Sequence, residues 1–86
     1  AISDLACYPN PFSQTTTITY SINRNTVVEL SVLDLLGKKI GVVDTGNKTK
    51  GNHISKWGAE NIAPGIYFLQ LKENNNVSTK KIIISR

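Results

Sequence analysis

The sequence predicts an all-β domain, an antiparallel β-sandwich of about seven strands, from three observations. Apolar and polar residues alternate with period two from Thr15 to the end of the chain, helical spacing of three and four never persists, and polar or glycine-bearing turns recur at regular intervals. At 86 residues there is room for one hydrophobic core and therefore one domain. A hydrophobic fraction of 40% with 19% charged residues is ordinary for a globular chain and excludes wholesale disorder.

A short first strand is expected at residues 5–7, ending at Tyr8-Pro9-Asn10-Pro11-Phe12. Each proline fixes its own φ and drives the preceding residue out of the helical region, so the pentapeptide reads as a rigid, extended lead-in. Asn10 is placed to close a side-chain-to-backbone turn, with Tyr8 and Phe12 anchoring the ends in apolar packing. In the next strand Thr16, Ile18, Tyr20 and Ile22 share the core face, opposite Thr15, Thr17, Thr19 and Ser21. Asn23-Arg24-Asn25 turns the chain, and Val28, Leu30 and Val32 continue the core face opposite Glu29 and Ser31. Leu33, Leu35 and Leu36 add a second apolar surface beside the next turn.

In Asp34-Leu35-Leu36-Gly37-Lys38 an aspartate able to accept backbone N–H groups precedes a glycine free to take positive φ, the chemistry of a hairpin connection. A strand through Ile40 and Val42 should end in a turn at Asp44-Thr45-Gly46, followed by a polar loop through Asn47-Lys48-Thr49-Lys50. His53, Ser55 and Trp57 then form one parity of a strand whose inward face Trp57 decides, with Ile54 on the other. Residues 58–65 read as a loop closed by Ala63-Pro64-Gly65, with Pro64 and Gly65 at the centre of a type II turn. Gly65-Ile66-Tyr67-Phe68-Leu69-Gln70-Leu71-Lys72 is apolar on both parities at first, as in a central strand, with Tyr67, Leu69 and Leu71 facing the core. Glu73-Asn74-Asn75-Asn76 reads as a loop, and the last strand covers residues 77–85, where Lys80 and Lys81 discourage stray edge pairing.

Composition narrows the chemistry. The single cysteine, Cys7, excludes an internal disulfide and a cysteine-based zinc site, and reads as a small buried hydrophobe. The net charge of +4 is spread over lysines at turns and strand ends, not gathered on one element with exposed aromatics, which argues against nucleic-acid binding. No apolar run approaches a membrane span, so direct membrane insertion is not expected. No methionine opens the chain, so Ala1 is expected to be a boundary, with any targeting peptide outside it.

No catalytic, metal or cofactor constellation stands out. Asp44-Thr45-Gly46 is the tripeptide of aspartic proteases, but that chemistry needs two carboxylates sharing a proton, and Asn47-Lys48 follows where an alanine and an acid are expected. His53 is the only histidine, and no serine lies in a nucleophile-elbow context. Asn47-Lys48-Thr49 and Asn76-Val77-Ser78 fit the glycosylation sequon, as asparagine-rich turns readily do. Trp57, Tyr67 and Phe68 offer an aromatic platform for sugar stacking, set against their use as core.

The landmarks carry more in their order than singly. Tyr8-Pro9-Asn10-Pro11-Phe12, the Ile18-Thr19-Tyr20 strand, Val32-Leu33-Asp34-Leu35-Leu36-Gly37-Lys38-Lys39, Gly51 with Trp57, Gly65-Ile66-Tyr67-Phe68-Leu69, and Lys80-Lys81-Ile82-Ile83-Ile84 follow one another along the chain. This series resembles the C-terminal sorting domain of the type IX (Por) secretion system, in its type A form. The resemblance implies an immunoglobulin-like sandwich, with residues 1–4 a remnant of the linker to an upstream cargo domain and residues 5–86 the sorting domain. It implies a non-catalytic export signal, without cofactor, that takes a cargo through the outer membrane to the surface or the medium. The implied partners are the type IX translocon, a sortase-like peptidase that cuts upstream and attaches the cargo to the surface, and the cargo in the same chain.

Carried over residue by residue, the opening motif falls on Pro9, Asn10 and Pro11, and the Gly-x-Tyr motif on Gly65 and Tyr67. The terminal motif falls on Lys80, Lys81, Ile82, Ile83, Ile84 and Arg86, whose exposed strand and cations are the expected contact. The chain departs from the family pattern where Trp57-Gly58-Ala59 runs on without an aspartate, and where Ser55 replaces a more usual aliphatic residue. The alternative from another class is an accessory sandwich module that binds polysaccharide or packs on a catalytic domain.

Overall fold

The computed structural model describes residues 2–74 and 76–85. Seven antiparallel strands run in order: β1 (Ile2–Tyr8), β2 (Thr15–Ile22), β3 (Thr26–Leu33), β4 (Lys39–Lys48), β5 (Gly51–Gly58), β6 (Gly65–Glu73) and β7 (Asn76–Ile84). They form two sheets, β1-β2-β5 and β4-β3-β6-β7, packed face to face. This is the expected all-β sandwich. The fourth strand sits beside β3 on the larger sheet, whereas a constant-type immunoglobulin domain places its fourth strand beside the fifth.

Period-two patterning fills the space between the sheets as the sequence predicts. Ile18, Tyr20 and Ile22 from β2, Val28, Leu30 and Val32 from β3, Leu69 and Leu71 from β6, and Ile82 and Ile84 from β7 are all buried. Cys7, Phe12 and Ala59 complete this core, and the half-buried Trp57 and Tyr67 pack against it. In β5 the Trp57 parity faces inward and Ile54 faces outward.

The β3–β4 connection has the expected chemistry. Asp34 Oδ1 accepts from the backbone N–H groups of Leu36 and Lys38, both at 2.9 Å, and Gly37 takes φ +84°. Leu35 and Leu36 at its tip are 64% and 94% exposed, so the second apolar surface faces out.

Several elements differ from expectation. β1 starts at Ile2 rather than at residue 5, pairing Ile2 with Ile22. Asp44, Thr45 and Gly46 form no turn. They lie inside β4, which stays paired to β3 out to Lys48 because an irregularity near Ser31 absorbs the offset. The loop before β5 thereby shrinks to Thr49 and Lys50. Gly65 is the first residue of β6 at φ +152°, far from the roughly +80° of the second central position of a type II turn.

Glu73 is no loop residue either. It pairs with Asn76 in the β6–β7 ladder and is fully buried, with Arg24 Nε 3.8 Å from its carboxylate. Ser31, expected on the wet face, is fully buried between its cross-strand neighbours Val42 and Gln70.

The ladders define two poles of a molecule 37 Å long. Ile2, Ile22 and Gly51 lie at one pole, where Asn25 Oδ1 accepts from Lys50 N at 2.8 Å. Tyr8, Gly58, Leu33, Gly65 and Ile84 lie at the other, tied together by a bridge between Phe12 and Ile84.

The candidate recognition pole

The opening and terminal motifs meet at this second pole. β7 is the outermost strand of its sheet, so one row of its N–H and C=O groups faces away from β6. Residues 9–12 cover the last part of that row. Asn10 Oδ1 accepts from Ile83 N at 3.0 Å, and Asn10 Nδ2 donates to the Lys81 carbonyl at 3.2 Å. Phe12 continues with its own backbone, donating to the Ile83 carbonyl at 3.0 Å and accepting from Ser85 N at 2.8 Å. A side-chain amide carries the same donor and acceptor as a peptide group, so Asn10 acts as one residue of an eighth, abbreviated strand. This corrects the expected local turn at Asn10, whose side chain instead reaches across 73 residues of sequence.

What holds the motif in place is asymmetric. Phe12 is buried, edge-on to Trp57 at 6.0 Å between ring centroids. The Pro9 carbonyl accepts from the buried Thr16 hydroxyl at 2.9 Å. Both X–Pro bonds, Tyr8–Pro9 and Asn10–Pro11, are cis. Tyr8, expected as a second apolar anchor, is 55% exposed, because the β1 parity that buries Cys7 turns Tyr8 outward.

Gly65 and Tyr67 close the loop over the same pole. Tyr67 Oη donates to the Ala63 carbonyl at 2.6 Å, a hydroxyl near the start of a strand bonding a few residues upstream, as in the tyrosine corner of immunoglobulin-like sandwiches. Gly65 pairs with Ile84. Its need for glycine comes from φ +152° and not from crowding, since an added Cβ would meet only Tyr67 Cε2, at 3.9 Å. Ala59, where the family pattern is broken, is fully buried and donates to the Gln14 carbonyl at 2.7 Å. Ser55 Oγ donates to Asp44 Oδ2 at 3.3 Å, a polar use of a position where an aliphatic residue was expected.

The terminal motif splits by parity. Ile82 and Ile84 are core, whereas Lys81 is exposed and Ile83 half-buried on the outer face of the sheet. Lys80 is on the inner parity, close enough to Cys7 for its charge to oppose part of the rise that burial imposes on the thiol pKa. Arg86 lies outside the described residues. The edge that the lysines were expected to protect is blocked over its last residues by Asn10 and Phe12.

Elsewhere the polar groups are structural. Asp44 and Lys48 form an ion pair at 2.8 Å, and that hydrogen bond, ahead of other contributions, holds the Asp44 carboxyl below its ordinary range. His53 stacks on Tyr20 at 5.3 Å, with Nε2 2.7 Å from the Thr49 carbonyl oxygen. Tyr67 and Phe68, as consecutive strand residues, point to opposite faces, so the three aromatics do not make one platform for a sugar. Among the described residues no cluster of His, Cys, Asp or Glu could hold a metal ion.

Fold and pole together define a small immunoglobulin-like β-sandwich whose opening and closing segments are joined at one end. Within that class, the model of the secretion system C-terminal sorting domain matches residues 6–85. The chain belongs to that family and is a C-terminal sorting signal for type IX secretion. Compared with curated proteins one by one, it matches none. Membership implies export to the cell surface or medium, and a cargo in the same chain; domains of this kind are in general non-catalytic.

Proposed function

We propose that the type IX translocon reads this domain at the pole where residues 9–12 lie along β7, and carries the cargo through the outer membrane on that recognition. The observation behind this reading is the Asn10 bridge to Lys81 and Ile83, which makes one surface of two motifs from opposite ends of the chain. Lys81 and Ile83 supply the outward side chains of that surface, whereas Ile82, Ile84, Gly65 and Tyr67 hold its shape.

The cargo joins at the far pole, ahead of β1. That leaves the recognition pole turned away from the cargo. A sortase-like peptidase then cuts upstream of the domain and attaches the released cargo to the surface.

The test fuses the chain to a periplasmic reporter in a type IX-competent bacterium. The wild-type fusion should reach the surface or medium, removal of residues 80–86 should leave it in the periplasm, and Lys81→Glu with Ile83→Asp should do so without unfolding the core. Export undiminished by all of these changes would refute recognition at this pole.

A further inference from the structure

The outer face of the four-stranded sheet carries an apolar patch bounded by lysines. At the recognition pole its side chains form a cross-strand row, Lys39–Leu33–Phe68–Lys81, with an apolar pair at the centre and a lysine at each end. Ile66 and Ile83 pair beside it, and Leu35 and Leu36 project from the adjoining turn. A cleft of roughly 270 Å³ runs between that turn and the start of β6, walled by Asp34, Leu35, Leu36, Pro64 and Ile66.

An apolar side chain that is 94% exposed at a turn tip gains nothing from the fold. The turn itself is already satisfied by the Asp34 carboxylate and by Gly37.

Charge decides what fits here. Of the two acids near the patch, Glu29 is paired with Lys39, while Asp34, bonded to two backbone N–H groups, keeps its negative charge in the wall of the cleft. Lys38 and Lys81 have no acidic partner among the described residues. Lys38, Lys39 and Lys81 outnumber the carboxylates of Glu29 and Asp34, so the surface presents an apolar centre with a net positive rim.

We infer that this patch is a second contact with the export machinery, one that docks a segment of a partner protein bearing apolar side chains flanked by carboxylates. The occupant comes from another chain, because Ile2, where any preceding cargo would join, lies at the opposite pole. A cleft that holds one or two side chains favours a protein segment over a bilayer, which would engage only the projecting tip. Leu36 and Leu35 are the anchors and Lys38 sets the orientation, while Lys81 borders both this patch and the first contact.

The inference rests on the sorting reading, and one experiment separates the two. In the reporter fusion, Leu36→Asp and Lys38→Glu should each lower the exported fraction about tenfold, as loss of an anchor does. Val27→Asp, also at an exposed apolar residue (56%) but at the other end of the same sheet face, should leave export unchanged. Both test positions lie in an exposed turn, so melting temperatures should stay within a few degrees, and Lys38→Glu carries the test if Leu36→Asp unfolds. Failure of the wild-type fusion to export overturns the sorting reading itself. Wild-type export that persists in Leu36→Asp and Lys38→Glu, or that falls equally in Val27→Asp, overturns the docking surface alone. Leu36-dependent pelleting with phosphatidylglycerol vesicles, or a Leu36-dependent dimer in sedimentation, would assign the patch to lipid or to a second copy and overturn the partner named here.

Discussion

Asn10 and Ile83 are joined as residues on neighbouring strands are joined, although no strand contains Asn10. The Asn10 side chain takes the Ile83 N–H and returns a donor to Lys81, so the exposed edge of β7 is closed by an amide that belongs to the other end of the chain. Closing an edge in this way protects the monomer against strand addition and also fixes the outward groups of the terminal strand.

Replacing Asn10 with alanine removes both bonds and leaves the Ile83 N–H to water. The expected cost is about 1–2 kcal/mol, since each such bond contributes about 1 kcal/mol net. For a domain of this size that lowers the melting temperature by roughly 5–15 °C. Hydrogen exchange localises the effect: the Ile83 amide should lose protection, while Leu69 and Leu71 amides exchange no faster than the global change requires.

The parity of the terminal strand makes a sharp contrast between adjacent residues. Ile82→Ala empties a fully buried site and should cost about 2–5 kcal/mol, enough to unfold much of a domain whose whole stability is of order 5–10 kcal/mol. Ile83→Ala, on the outer face, should cost under about 1 kcal/mol. Urea midpoints of the two variants give the comparison, and similar values would contradict the assigned register.

Much of this was legible in the sequence, and what was not has a common physical cause. The alternation through Thr16, Ile18, Tyr20 and Ile22 gives the strand and its buried face at once, because one side of β2 faces water. The Asp34–Gly37 turn is equally local, its chemistry contained in five residues. Asp44-Thr45-Gly46 and Glu73 misled because their composition is that of turns, while the ladders to β3 and β7 keep them in strands. Ser31 is buried by Val42 and Gln70, which only the pairing brings to it. The motif residues Pro9, Asn10, Pro11, Gly65 and Tyr67 could each be named, but their convergence with Lys81 and Ile83 spans the whole chain and leaves no local pattern.

Gly65 and Tyr67 should separate backbone from side-chain contributions. Gly65→Ala forces a side chain into φ +152° and should cost about 1–3 kcal/mol despite open space around the Cβ. Tyr67→Phe keeps the ring and loses the bond to Ala63, for about 1 kcal/mol. Thermal melts of both variants test this, and a neutral Gly65→Ala would contradict the strained position.

Stability should fall in acid partly through Asp44. Its carboxyl is held below the ordinary range, first by the Lys48 hydrogen bond, so the folded state releases that proton more readily than the unfolded chain does. The contribution is fully present above the unfolded value of about 4 and is lost as pH falls through the lower folded value. Asp44→Asn should therefore be less stable than wild type at pH 7, and the gap should narrow by pH 3. A gap that is constant across this window in urea titrations would argue against the assignment.

Cys7 should behave as a core residue. Burial pushes its thiol pKa up, so a thiol reagent at pH 8 should react slowly with the folded chain and quickly in urea. Rapid labelling without denaturant would place Cys7 outside the core.

The central claim is that the opening and terminal motifs act as one recognition element, and export of the Asn10→Ala fusion tests it most directly. The variant leaves every residue of β7 unchanged and, at a growth temperature below its melting point, remains folded. If the two motifs are one element, the exported fraction of the reporter falls well below wild type even though the terminal sequence is intact. Export of folded Asn10→Ala at the wild-type level would contradict the claim and return recognition to the terminal strand alone.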